Sequence, residues 1–421
     1  MKIAAIALAF STILTIEQRD GLRATLDYPN SAVSADGRFV AFITYSQLAP
    51  ADVNNSSDLY VLDRVRQHVT LESASPPARE GFAEVSTGHA PTIDSRHPGI
   101  SGDGRFVVYE RNDVILVRDR RDGVSTIVGT GNEPFITEDG RVVVFSAGRL
   151  DRVPAIDVNG LRNDIYSVDL RSGEARRVSV DLRGLDPSST SSGSPSASAD
   201  GRYVAFAARP PFDRSATRTS QVFVRDNALN LTTLVGAGWG PSISGDGRYV
   251  AFVAISNRMA HIFLADLRTG AKHALTKSVR RGLANGASAN PVISSDGRFI
   301  AFQSEANDLV AAEDFNLLAD VFVFDRIAGS ITRISGDPEG VWMEPSSGPS
   351  LDATGSVIAF SSRHPTDASD KRNDFDLYVA LTSLNTEARR HGGAPRIKSF
   401  GFGDLAATAF SFAARLHGSR P

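Results

Sequence analysis

The chain has 421 residues, 41% of them apolar and 22% charged, with 45 Lys+Arg against 48 Asp+Glu. That is the composition of a globular protein with ample length for a core, and a net charge of −3 leaves no basic surplus to neutralise phosphates, so nucleic-acid binding is not expected. The absence of cysteine excludes disulfides, Cys-ligated zinc, iron–sulfur clusters and a Cys nucleophile.

No stretch reaches the roughly 18 apolar residues of a spanning helix, so no transmembrane segment is predicted. Lys2 followed by Ile3–Phe10 reads as a short secretory leader over residues 1–11, with Ala9-Phe10-Ser11 as a small-x-small cleavage site. The alternative makes Thr12–Glu17, TILTIE, a β-strand of the mature fold. Both hold if cleavage falls near Ser11, and the protein is then periplasmic or secreted.

From Asn30 onwards one motif recurs seven times. It begins as NSAVSADGRFVAF from Asn30, HPGISGDGRFVVY from His97 and EPFITEDGRVVVF from Glu133. It continues as SPSASADGRYVAF from Ser194, GPSISGDGRYVAF from Gly240, NPVISSDGRFIAF from Asn290 and GPSLDATGSVIAF from Gly348. In each copy a short strand ends at a turn where Asp bonds the backbone and Gly supplies positive φ. An apolar, β-branched and aromatic strand follows, as expected between two neighbouring sheets. A third strand follows each time, such as DLYVLD (58–63) or DVFVFD (320–325), and usually a fourth, such as HVTLES (68–73) or ITRIS (331–335). Four antiparallel strands in each of seven repeats predict an all-β, seven-bladed β-propeller over residues 12–385. The seventh repeat lacks a fourth strand of its own, and TILTIEQRDG (12–21) resembles ITRISGDPEG (331–340). The N-terminal strand is therefore expected to complete blade seven and close the ring.

The S-x-D-G-R-x-[VI]-[AV]-F unit with its following D-[VIL]-[YF]-x-x-D resembles the TolB-like, WD-repeat-like propellers of exported bacterial proteins. The resemblance implies the fold. It implies no single activity, because such propellers serve as scaffolds, gates and occasionally enzymes. The hydrolase domain of propeller-bearing peptidases, with its G-x-S-x-G elbow, has no counterpart in the sequence.

Candidate chemistry is sparse. The eight histidines form no H-x-H or H-E-x-x-H. His89, His97 and His364 fall in or beside loops, and none has a second group placed by the sequence to make it catalytic. The repeated arginines (38, 105, 141, 202, 248, 298) share one structural position and are expected to pair with nearby acids. Between strands two and three, Asp52-Val-Asn54 with Asp58 recurs as Asp314-Phe-Asn316 with Asp320 and, one residue longer, as Asp157-Val-Asn159 with Asp164. Alternating carboxylate and amide oxygens suit Ca²⁺, and the same residues form turns. Both readings stand, so calcium is the one cofactor candidate.

In a propeller the strand 2–3 and strand 4–1 connections share a face. That face would carry the acidic loops together with His89, Trp239, Trp342 and Glu344. A protein or carbohydrate partner is expected there, bound by a monomer, with a hydrolase or lyase site in the central channel as the rival reading. Residues 386–421 form a tail in which Leu405–Leu416 could make one short amphipathic helix.

Overall fold

The computed structural model describes residues 12–17, 31–53, 56–73, 95–148, 150, 153, 162–180, 191–209, 220–311, 316–335, 343–363, 375–382 and 400–401. It contains seven sheets, six antiparallel ones of four strands and one of five strands. This is the predicted seven-bladed propeller. Blade one is typical: Ser31–Val33, Phe39–Thr44, Asp58–Asp63 and His68–Leu71 pair in that order.

The ring closes as the repeat count demanded. Thr12–Glu17 lies antiparallel to Asp376–Leu381, with Thr12 opposite Leu381 and Thr15 opposite Tyr378. Beyond it, Phe400–Gly401 adds two residues parallel to Ile16 and Glu17. The tail thus contributes a short strand; the expected helix at 405–416 lies outside the described residues.

The second strand of each blade is buried on both faces, because apolar side chains from the two adjoining blades cover it. The cores lie between blades. Tyr249, Ile262 and Leu264 of blade five pack with Ile300, Phe302 and Phe322 of blade six. Val40, Phe42 and Tyr60 of blade one pack with Val357, Ala359, Leu377 and Val379 of blade seven. Within six blades a ring on strand two sits 5.6–6.3 Å from one on strand three. Such pairs contribute about 0.5–1.5 kcal/mol each beyond their buried area.

The repeated turn joins the blades as well as reversing the chain. In blade one the Ser34 hydroxyl donates to Asp36 at 2.6 Å, and the Arg38 amide donates to the same carboxylate at 2.9 Å. Around the axis, backbone amides donate to the next blade's carbonyls in an unbroken circle. Ala35 gives to Gly102, Gly102 to Glu138, Asp139 to Ala199, Ala199 to Gly245, Gly245 to Ser295, Asp296 to Ala353 and Ala353 to Ala35. Beside this circle, each turn glycine lies against the first residue of the preceding blade's second strand. Gly104, at φ +70°, is typical: a methyl group there would stand 2.1 Å from Phe39 Cδ2. Phe39 cannot yield, since Arg38 and Arg120 cover it at 4.6 and 4.8 Å from the ring centroid.

Gly104→Ala should therefore lower stability by roughly 2–5 kcal/mol, combining left-handed strain with overpacking. Gly173 has a similar φ of +72° but open space around it. Gly173→Ala should cost only about 1–2 kcal/mol. Denaturant midpoints of the two variants read the difference.

Candidate functional site

The two faces differ in what their side chains are committed to. On the face of the DGR turns, Arg38 donates to Asp63 through Nε at 3.1 Å and Nη2 at 2.6 Å. Asp63 in turn accepts from the amides of Val65 and Arg66, fixing the strand 3–4 turn. Arg105–Asp119, Arg141–Asp169, Arg202–Asp226, Arg248–Asp266 and Arg298–Asp325 repeat the ion pair in blades two to six. The arginines are staples, as their single structural position implied. Hydrogen bonding from Arg38 and Arg248 holds the Asp63 and Asp266 carboxyls down at about 2.

The other face carries the acidic loops and the strand 4–1 connections. Asp58, Asp164 and Asp320 open the third strands of three separate blades, buried and far apart in the ring. Each accepts a hydrogen bond from a serine fifteen residues on: Ser73 at 2.5 Å, Ser179 at 2.8 Å and Ser335 at 2.7 Å. Arg177 stands 3.5 Å from Asp164, and Arg333 stands 3.5 Å from Asp320. Asp52 is also buried and accepts from the Tyr60 hydroxyl at 2.5 Å. Burial and then this bond push the Tyr60 phenol up. Asn316 makes an Asx turn, accepting from the Leu318 amide at 2.8 Å. Asn54, Asp157, Asn159, Asp314, His89 and Trp342 lie outside the described residues. Among the described residues no group of three His, Asp or Glu side chains is placed to hold a metal. Trp239 opens the first strand of blade five and is 38% exposed, and Glu344 is half-buried just before blade seven.

The first strands touch one another round the full circle and line the axis. They hold the feature that sequence reasoning missed. In blades two to seven the register slips by a bulge, for example between Arg96 and Gly99. The residue before the proline there is left-handed: His97, Glu133, Ser194, Gly240, Asn290 and Gly348, with φ between +50° and +62°. Glu133 reaches the next blade and accepts from the Ser194 amide at 2.7 Å. Asn290 donates to Gln303 at 3.1 Å, and Gln303 accepts from the Gly348 amide at 3.1 Å. His97 Nδ1 lies 2.9 Å from Glu110 Oε2, with the imidazole 36% and the carboxylate 7% accessible. The second group that the sequence did not supply for His97 is thus present, thirteen residues on. The legible signal was Glu110 itself, which with Arg111 ends the run FVVYER in charge where the other blades do not.

No family model matches the sequence, and no curated protein matches it. Solved structures do. An oligogalacturonate lyase in complex with manganese aligns over 89% of this chain and 97% of its own at 15% identity, TM-score 0.53. The β-propeller domain of the Trilobed protease from Pyrococcus furiosus, described as having an open velcro topology, aligns over 87% and 99% at 11% identity, TM-score 0.54. A putative TolB from Agrobacterium tumefaciens covers 64% and 84% at 18% identity, TM-score 0.41. At these identities the likeness is one of fold. Among the described residues no helix is long and apolar enough to cross a membrane.

The Arg–Asp staples are expected to make the fold sensitive to acid. A carboxyl held below its unfolded value near 3.9 contributes its stabilisation above that pH and loses it as the pH falls through the folded value. The urea midpoint should therefore decline between about pH 4 and pH 2. In Arg248→Met, where Asp266 has lost its guanidinium donor and keeps only the Arg268 and Thr269 amides, that decline should be shallower.

Proposed function

We propose that the protein is an exported binding module that captures a protein or carbohydrate partner through the face of the strand 2–3 and strand 4–1 connections. The observation that carries this reading is where exposed apolar side chains stand. Trp239, Ile255, Val279, Leu317, Leu318 and Met343 all lie on that face, on the successive connections of blades five and six. Away from that face, exposed large apolar residues stand at strand 3–4 turns and on outer fourth strands: Val65, Val124 with Ile127, Leu229 with Leu231 and Leu234, and Ile327. An apolar arc across neighbouring blades is the usual mark of a partner surface, with an aromatic as its anchor. The leader-like residues 1–11 support export, and one chain closing its own ring supports a monomer.

A second reading, a hydrolase- or lyase-type site in the channel, is supported by the His97–Glu110 pair. For the acidic loops, the serine and arginine partners of Asp164 and Asp320 favour turn and strand anchoring over calcium.

Two measurements test this reading. Trp239→Ala with Met343→Ser should weaken capture of partner from native extract, and retention on a polysaccharide panel, by about tenfold or more. The β-sheet circular dichroism should stay intact. Undiminished capture would move the surface elsewhere. Millimolar calcium followed by EGTA should leave the melting temperature within about 1 °C. A rise of several degrees that EGTA reverses would assign calcium to the loops.

A further inference from the structure

The left-handed position before each proline can be filled without strain by glycine, as Gly240 and Gly348 do. Four blades place His, Glu, Ser or Asn there instead, against a penalty of about 1–2 kcal/mol for a left-handed side chain. For three of them, His97, Glu133 and Asn290, the structure shows what the side chain contacts. For Glu133 and Asn290 the contact is architectural, serving directly or through Gln303 the backbone amide of the next blade. His97 has the same place as Asn290, and Glu110 the same place on strand two as Gln303. The corresponding residues in the other blades are Ile43, Ser146, Ala207, Val253 and Ser361, none of them ionisable. Blade two thus holds the titratable version of a pair that blade six builds from amides.

We propose that His97 is a general base at the channel wall and Glu110 its positioning residue, together hydrolysing carboxylic esters or lactones. The proposal rests on the reading that ligands approach from the face carrying the strand 4–1 connections, where this end of the first strand lies. A carboxylate can only accept, so Nδ1 carries the proton that meets Glu110, and Nε2 keeps its lone pair on an imidazole that is 36% accessible. Burial keeps Glu110 from reaching a substrate directly, so it acts by fixing the tautomer and the ring. In the reaction, a water bound to Nε2 passes a proton to it as the water oxygen bonds to the acyl carbon. The acyl C–O bond breaks, and the proton moves from Nε2 to the departing alkoxide. One water is consumed, nothing is oxidised or reduced, and the Nδ1 proton stays on the Glu110 side throughout. The substrate class follows from the groups present. Glycoside cleavage needs two carboxyl groups flanking the bond. Here Glu110 sits behind the imidazole, and Glu133 is bonded to the Ser194 amide. A single imidazole that first takes and then returns one proton suits an alkoxide leaving group.

The test uses the full chain with 4-nitrophenyl acetate and δ-valerolactone as probes. The wild type should hydrolyse both faster than buffer, and His97→Asn should lower kcat by about a hundredfold or more. Glu110→Gln should lower kcat about tenfold with KM unchanged, since it removes orientation and not binding. The double variant His97→Asn/Glu110→Gln copies blade six into blade two. It should keep the wild-type melting temperature and be no less active than His97→Asn alone. Wild-type rates in the double variant, or a wild type no faster than buffer, would overturn the proposal. So would a double variant that fails to fold, because the pair would then be structural. Partner capture by His97→Asn reads the binding face separately: hydrolysis absent from the wild type with capture retained would remove this inference alone.

Discussion

The structure depends on one repeated joint, in which a turn glycine is pressed against the preceding blade while a backbone amide of that blade donates across the same boundary. Each half of the joint constrains the other. The amide-to-carbonyl circle fixes how far apart the inner strands stand, and only a residue without a side chain fits that spacing. From this follow the two-sided burial of every second strand and the continuous apolar runs that encode it. The arginine staples lie outside this circle, clamp the third strand to the turn, and cover the ring that the glycine touches.

Most of this was legible. The DGR run states a turn, an apolar run states a doubly buried strand, and seven copies state a closed ring. The pairing of TILTIE with DLYVAL was readable because blade seven lacked a strand and the N-terminus offered one. The inter-blade role of the turn glycines was not readable, since Asp-Gly satisfies an ordinary hairpin equally well. The His97–Glu110 pair was hidden for a different reason. In a regular ladder Arg96 alone stands opposite Glu110, and only the bulge with its left-handed His97 turns the imidazole towards it. The recurrent residue-before-proline was visible in every copy but one, and glycine at two of those places was the clue to its φ. Spacing along the chain also did not reveal the buried serines that donate to Asp58, Asp164 and Asp320.

The division of labour between the faces follows from where identity between repeats is required. The DGR face repeats because each turn bonds one neighbouring blade through its backbone and rests its glycine on the other. The opposite face carries connections whose only geometric duty is to start and end strands, so length and chemistry there vary from blade to blade. The left-handed channel position lies between these extremes. Its backbone is dictated by the bulge while its side chain is open to choice, which makes it a slot where a repeat architecture can host individual chemistry.

The closing strand carries a consequence for how the protein is made. Thr15 finds its partner in Tyr378, 363 residues later, so the chain emerges with the last piece of its final sheet in hand and nothing to pair it with. Blades one to six can condense from neighbours in sequence, whereas the seventh waits for the far end of the chain. The joint it then seals is also the plainest, since Ser356 stands where six other turns carry arginine. Until that moment the outer edge of Asp376–Leu381 is an open template for another chain. The interval between finishing synthesis and capturing residues 12–17 is thus when this molecule is most exposed to strand exchange with its own copies.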